Sequence, residues 1–218
     1  MPSDKTIAVL TSGGLDSVIL LHYFLNRNLS VKPVYFKSGH VWEKVELIWL
    51  KRYLKSTNSK KLKPLTILSF DAKDLYQKHW SMTGKKIPGA KSNDLKVYLP
   101  GKNLLLLSKA AVYCSLNHIH SVALGPLKTN PFPDASLAFF RALEKTCSKG
   151  LRFKFKIKTP FLGKNKNQVM KIGRDLPLDK TFSCISPRKK NHCGKCNKCA
   201  ERKKAFRNAG IKDPTRYV

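Results

Sequence analysis

The sequence predicts an α/β protein, a doubly wound parallel sheet with a small C-terminal zinc-binding tail. Three observations carry that reading. Short apolar runs alternate with segments of helical periodicity along most of the 218 residues, with the long connections that parallel strands require. A glycine loop, Ser12-Gly13-Gly14-Leu15-Asp16-Ser17, sits at the first strand–helix junction. Four cysteines, Cys184, Cys193, Cys196 and Cys199, crowd the far end at the spacing C-x8-C-x2-C-x2-C.

The elements follow in order. Ile7, Ala8, Val9 and Leu10 are consecutive apolar residues and read as a buried strand. A helix opens at Asp16-Ser17, with Val18, Leu21 and Leu25 at helical spacing. VKPVYFKSG gives a second strand, Glu43 to Leu54 an amphipathic helix, and KPLTILSF a third strand. The loop Leu99-Pro100-Gly101-Lys102-Asn103 opens the long apolar helix KNLLLLSKAAVYCSLNH. SVALG is a fourth strand, ASLAFFRALEKTC a helix, FKFKIKTPF a fifth strand by its alternation, and NKNQVMKIGRDL a shorter helix. Residues 1–175 are thus expected to form one α/β domain. Residues 176–218 are too few and too polar for a second core and need a staple, which the cysteines supply. Met170 and Trp49 read as core. His22, His79, His118 and His120 show no partner pattern and read as structural or exposed.

With 42% apolar residues a real core is possible. No run approaches the roughly 18 apolar residues of a membrane span, and the opening MPSDKTIAVLTSGG lacks a signal-peptide pattern. A cytoplasmic protein is expected, with no membrane partner and no disulfides. Cys114 reads as a small buried hydrophobe, and Cys147 stands alone.

The net charge is +30, and residues 141–218 hold 23 of the 43 Lys+Arg against 5 of the 13 Asp+Glu. A polyanion partner, tRNA first, is one reading. A solvated lysine-rich surface is the other, and it suits the excess of lysine over arginine and the lack of interleaved aromatics. The runs Lys60-Lys61-Leu62-Lys63 and Arg188-Lys189-Lys190 are read as solvated, the second as an exposed loop within the cysteine segment.

A strand, a double glycine and a new helix make a phosphate site. Glycines let the backbone approach the ligand, and the helix adds its positive end. Ser12 and Ser17 offer hydroxyls, and Asp16 can cap free amides or help hold Mg²⁺. The loop is neither G-x-G-x-x-G nor a Walker A ending. At the other end, four thiolates make a closed tetrahedral site, structural rather than catalytic, and favour Zn²⁺. Gly194 relieves the turn between Cys193 and Cys196. His192, beside Cys193, is an alternative ligand, and a C-x2-C redox pair is a further, weaker alternative.

The loop resembles the pyrophosphate loop of the ATP-pyrophosphatase (PP-loop) superfamily. Loop and tail together resemble the 7-cyano-7-deazaguanine synthase family. The likeness extends through Pro100-Gly101-Lys102-Asn103, Thr159-Pro160 with Asn165-Lys166, Thr181-Phe182-Ser183-Cys184, the block His192 to Cys199, and the closing Ala205-Phe206, Ala209-Gly210 and Asp213-Pro214-Thr215. The resemblance implies the adenine nucleotide alpha hydrolase-like fold and an ATP-dependent ligase of queuosine-type deazapurine biosynthesis. ATP adenylates 7-carboxy-7-deazaguanine, ammonia displaces AMP, and a second activation dehydrates the amide to the nitrile. It implies ATP on residues 12–17, catalytic roles for Asp16, Lys102 and Lys166, and Mg²⁺ on the phosphates. Two blocks depart from the family. Tyr35-Phe36-Lys37-Ser38-Gly39-His40 stands where D-Y-G-Q-R-H is usual, and Asn130-Pro131-Phe132-Pro133-Asp134-Ala135-Ser136 keeps only Pro133-Asp134 of the substrate block. Gln168 stands where a glutamate is expected. Asp134 is the substrate-side candidate, able to accept from a purine-like amidine edge; the competing reading is a cap on ASLAFFRAL. Other outcomes stay open: a PP-loop relative that adenylates tRNA (thiolation through Cys114 or Cys147, or lysidine formation) or another carboxylate, and a non-catalytic zinc-stapled nucleic-acid-binding protein. A homodimer through the exposed face of EKVELIWLKRYL is a further expectation.

Overall fold

Five short apolar runs pair into one parallel sheet: β1 (Thr6–Leu10), β2 (Ser30–Lys37), β3 (Thr66–Ser69), β4 (Ser121–Ala123) and β5 (Lys156–Lys158). The structure is a computed structural model that describes residues 6–218; the first five residues of the opening MPSDKTIAVLTSGG lie outside them. The strand order is β3-β2-β1-β4-β5. Ala8 sits in register with Lys32 on one side and Val122 on the other. The winding direction reverses between β1 and β4, and crevices for ligands open at the carboxyl ends of strands at such a reversal.

Eight α-helices accompany the sheet among the described residues: α1 (Leu15–Leu25), α2 (Glu43–Ser56), α3 (Lys73–Tyr76), α4 (Trp80–Thr83), α5 (Lys102–Leu116), α6 (Leu137–Gly150), α7 (Lys166–Ile172) and α8 (Asn197–Ala209). Alternate residues of a strand face opposite sides, so β1 feeds two cores. Ile7 and Val9 pack with Ile19, Leu20, Phe161, Met170 and Phe206 under α1, α7 and α8. Ala8 packs with Leu107, Ala111, Cys114, Val122 and Phe140 under α5 and α6. The sheet is therefore doubly wound, as expected. Cys114 and Met170 are fully buried. Trp49 is half-buried, and its indole N–H donates to the Lys190 carbonyl at 2.8 Å.

The chain beyond α7 shares its apolar residues with the rest. Ala205 and Phe206 of α8 enter the first core. Phe182, Ile185 and the four cysteines form a third cluster with Trp42 and Val97. The guanidinium of buried Arg202 ties this segment together, donating to Thr215 Oγ1 and Thr181 Oγ1, each at 2.7 Å, and to the Leu178 carbonyl at 2.8 Å. Among the described residues no helix is long and apolar enough to cross a membrane.

Candidate nucleotide-binding and active site

The loop after β1 is held by its own atoms. Gly13 has φ +84°, a left-handed conformation that glycine adopts freely, and a Cβ there would lie 3.2 Å from Leu50 Cβ of α2. Its N–H donates to Ser17 Oγ at 3.1 Å, and that hydroxyl donates to the Gly14 carbonyl at 3.0 Å. The Gly14 N–H donates to Ser12 Oγ at 3.3 Å. Phe182 N–H donates to the Gly13 carbonyl at 2.8 Å, so the cysteine segment braces the loop from outside. The free amides at the start of α1 and its positive end suit an anion here.

A cavity of about 430 Å³ opens beside this loop. It is lined by Ser12, Gly14, Leu15, Asp16 and Ser17, and also by Lys102, Asp134 and Lys166. Of the expected ATP-loop, catalytic and substrate residues, only Gly13 lies behind its wall.

Lys166 enters from the first turn of α7, whose start is fixed by a reciprocal cap. Gln168 N–H donates to Asn165 Oδ1, and Asn165 N–H donates to Gln168 Oε1, both at 2.9 Å. Gln168 thus has a structural task in the place where glutamate was expected. Lys166 Nζ donates to Asp16 Oδ2 at 2.6 Å and Oδ1 at 2.9 Å, and lies 3.4 Å from Glu201 Oε1. Lys198 Nζ meets Glu201 Oε2 at 2.7 Å. Burial works against the Lys166 charge, but Asp16 and Glu201 outweigh it and raise the ammonium above the usual lysine range. Burial likewise works against the Glu201 carboxylate, yet Lys198 and Lys166 hold it down at about 2.

Lys102 opens α5 beyond Gly101, which has φ +71°. Burial lowers its ammonium, Glu46 opposes that, and Lys198 adds to it. Among the described residues no carboxylate lies within salt-bridge distance of Lys102. Glu46 accepts from Tyr35 Oη at 2.8 Å. Burial pushes its carboxyl up to about 7, against the pull of Lys102 and the Tyr35 bond. Asp134 does not cap α6; Ser136 does, its Oγ accepting the Phe139 N–H at 3.2 Å. Asp134 instead secures the start of α5. Its Oδ2 accepts the Asn103 N–H at 2.8 Å, and its carbonyl accepts Asn103 Nδ2 at 3.0 Å.

The four cysteines converge behind the cavity wall. Their Sγ atoms all lie within 4.8 Å of one another, and Cys184 and Cys196 are 3.8 Å apart. Zinc–sulfur bonds of roughly 2.3 Å in a tetrahedron place sulfurs about 3.8 Å apart, so the donor set fits a tetrahedral thiophilic metal. Backbone N–H groups of Ser186 and Cys193 donate to Cys184 Sγ at 3.3 and 3.4 Å. His192 takes no part; its Nε2 accepts the Ser183 N–H at 3.1 Å, with the ring packed near Trp49, Phe182 and Tyr217.

A family model described as Queuosine biosynthesis protein QueC matches residues 6–210, spanning both the glycine loop and the cysteine set. The chain belongs to the QueC family. It is 32% identical over 225 residues to a 7-cyano-7-deazaguanine synthase of Picrophilus torridus, covering 95% of this chain and 90% of that protein. It is 28% identical over 240 residues to one of Methanocaldococcus jannaschii, covering 98% and 99%. Among solved structures it resembles a predicted subunit of tRNA methyltransferase from M. jannaschii, with a TM-score of 0.51 at 15% identity, covering 77% of this chain and 73% of that one. That likeness shows the fold alone.

Several residues at this QueC-family site escaped sequence reasoning: Glu46, Tyr35, His40, Lys198 and Glu201 all line the cavity. Glu201 carried a signal, being the one acidic residue in CNKCAERKKAF. Glu46 carried none beyond its place on an amphipathic helix.

Proposed function

We propose that this chain converts 7-carboxy-7-deazaguanine and ammonia to 7-cyano-7-deazaguanine with ATP as activator. The observation that carries the reading is one cavity in which an anion-binding loop, the Asp16–Lys166 pair, an unpaired Lys102 and Asp134 converge. A carboxylate is a poor electrophile, and adenylation supplies a leaving group. The substrate carboxylate attacks the α-phosphorus and pyrophosphate departs along the loop, where backbone amides and Ser17 receive it. Ammonia then attacks the acyl carbon and AMP leaves, giving the amide. A second ATP activates the amide oxygen, and loss of AMP and protons leaves the nitrile. Lys102 balances the phosphoryl charge. Lys166, held by Asp16 and Glu201, remains fully charged and aligned for the same purpose. Mg²⁺, with Asp16 as the supporting carboxylate, would neutralise the ATP phosphates. The four-cysteine set is proposed to hold Zn²⁺ as a structural ion. Residues 1–175 are proposed as the activating unit and 176–218 as its metal-stapled wall, in a cytoplasmic enzyme.

The charge excess sustains one second reading, in which the adenylated acceptor is a tRNA base. Thiolation through Cys114 or Cys147 is the weakest form of it. Neither cysteine lines the cavity, and burial pushes the Cys114 thiol up to about 12, away from the thiolate. The test is AMP release from Mg-ATP, ammonium and 7-carboxy-7-deazaguanine, followed by mass spectrometry. Nitrile is expected with AMP, and both should be lost in Asp16→Ala. AMP formed only when tRNA is added would transfer the reading to the second acceptor.

A further inference from the structure

Two buried polar atoms in the cavity have no hydrogen-bond partner among the described residues: His40 Nδ1 and Asp134 Oδ1. His40 is 9% exposed and Asp134 6%. Folded proteins rarely leave such atoms unsatisfied without a use for them. His40 follows β2 and Asp134 follows β4, and β1 runs between those strands. The two residues therefore reach the cavity from either side of the phosphate loop.

Flat aromatic walls accompany both. The His40 ring stacks on Trp42, with centroids 4.6 Å apart and planes 9° from parallel, and Trp42 stacks on Trp80 at 5.6 Å. Beyond Asp134, Tyr98 and Phe132 stack at 4.7 Å. All of these side chains line the cavity. Burial, with Lys102 and His79, holds the His40 imidazole down at about 3, so it stays neutral and keeps one bare nitrogen. The cavity thus presents planar apolar faces, a carboxylate oxygen and a neutral imidazole, which together suit a flat heterocycle.

The carboxylate selects which heterocycle. An ionised aspartate only accepts, so it matches an edge with adjacent donors, as in the ring N–H and amino group of a guanine-type base. Adenine offers a donor beside an acceptor, which a carboxylate repels. We propose that His40 and Asp134 are the specificity-determining pair for the deazapurine, Asp134 Oδ1 taking the amino and ring N–H edge and His40 Nδ1 the pyrrole N–H, with the ring lying along the aromatic walls. This inference rests on the proposed reaction, and it assigns the base end of the cavity to the acceptor rather than to ATP. Both residues stand where the two altered blocks still match the family pattern, His40 at the histidine that closes D-Y-G-Q-R-H and Asp134 at the retained aspartate, while the residues around them depart.

The test uses the full chain with Asp134→Asn and, separately, His40→Phe. The asparagine retains an acceptor for Asn103 while turning the free oxygen into a donor. The phenylalanine keeps the stack and removes both nitrogens. Each should raise the KM for 7-carboxy-7-deazaguanine at least about tenfold and leave the KM for ATP within about twofold. An acceptor analogue lacking the exocyclic amino group should bind wild type more weakly, and Asp134→Asn should add little further loss. Calorimetry with the base alone reads the same affinities without turnover, and thermal melts check that both variants fold. A rise in the ATP KM instead, unchanged acceptor KM and affinity in both folded variants, or no base binding to wild type would each overturn the assignment. Wild type that binds the base, loses that binding in the variants and yet makes no nitrile would sink the reaction while leaving the base site standing.

Discussion

At the residue scale, the cavity keeps a carboxyl group under strain of charge rather than geometry. Glu46 touches Tyr35, receives a contribution from Trp42, faces the pull of Lys102 and the repulsion of Glu43, and still titrates near 7 because burial dominates. Its folded value lies above the ordinary 4.5. Between those two values the folded chain holds a proton that the unfolded chain has released, so stability falls as pH rises through that window. Glu46→Gln removes the ionising group and keeps an acceptor for Tyr35. Urea melts should show the variant more stable than wild type by on the order of 2–3 kcal/mol at pH 8, with the difference closing by pH 4. Equal stabilities at pH 8 would mean that Glu46 is solvated well enough to ionise freely. Glu201 has the opposite sign: its lowered carboxyl favours the fold above the usual carboxylate range and gives that contribution up only in acid.

At the scale of elements, the Asp16–Lys166 contact depends on how closely α1 and α7 approach. Gly173 ends α7, and a Cβ there would fall 2.4 Å from Ile19 Cγ1 and 2.7 Å from its Cδ1. Gly173→Ala must part the two helices, at a cost of about 1–3 kcal/mol for overpacking. Differential scanning calorimetry should show a fall of about 2–4 °C per kcal/mol. AMP release should drop further than the folded fraction does, because Lys166 is drawn away from Asp16. Gly163→Ala, where a Cβ meets open space, should change neither. The elements that position this pair were legible in sequence: Ile7 to Leu10 as a buried strand, the periodic α1, and the loop between them. Others were not. Helix α8 is polar over most of its length, and Ala205 and Phe206 are too few to announce a buried face; the cysteine knuckle and the packing on α7 make it a helix. KDLYQKHWSMTGKK has no helical period, and α3 and α4 went unread there; its Trp80 lines the cavity, while Tyr76 Oη donates to the Pro100 carbonyl. The expected fifth strand FKFKIKTPF pairs only over Lys156–Lys158, as an edge strand with one neighbour. The Asp16–Lys166–Glu201 network joins residues far apart in sequence, which no local pattern can show. Asp134 was legible as a candidate, yet its bond to Asn103 was not, since a loop aspartate beside a helix start reads first as that helix's cap.

At the scale of the whole molecule, the cysteine segment is a wall of the site as well as its staple. Its cluster includes Trp42 and Val97, both cavity-lining residues, and its Phe182 amide holds the Gly13 carbonyl. The next turns of the same segment supply Lys198 and Glu201 to the charge network around Lys166. We therefore expect that whatever holds the four sulfurs together also steadies the glycine loop and Lys166. Purified protein should carry about one zinc per chain by mass spectrometry of the metal content. Stripping it with a chelator leaves four buried sulfurs without their common partner. The loss should reach several kcal/mol, lowering the melting midpoint by on the order of 10 °C for a chain of this size. ATP binding should weaken together with turnover, since the loop loses its outer brace, and readdition of Zn²⁺ should restore both. Cys184→Ser should reproduce the stripped state without a chelator, because Cys184, two residues from Phe182, is the sulfur that would tie this segment to the other three. If the stripped chain keeps its melting midpoint and its ATP affinity, the brace belongs to Phe182 and the aromatic cluster alone, and the sulfurs serve some other end.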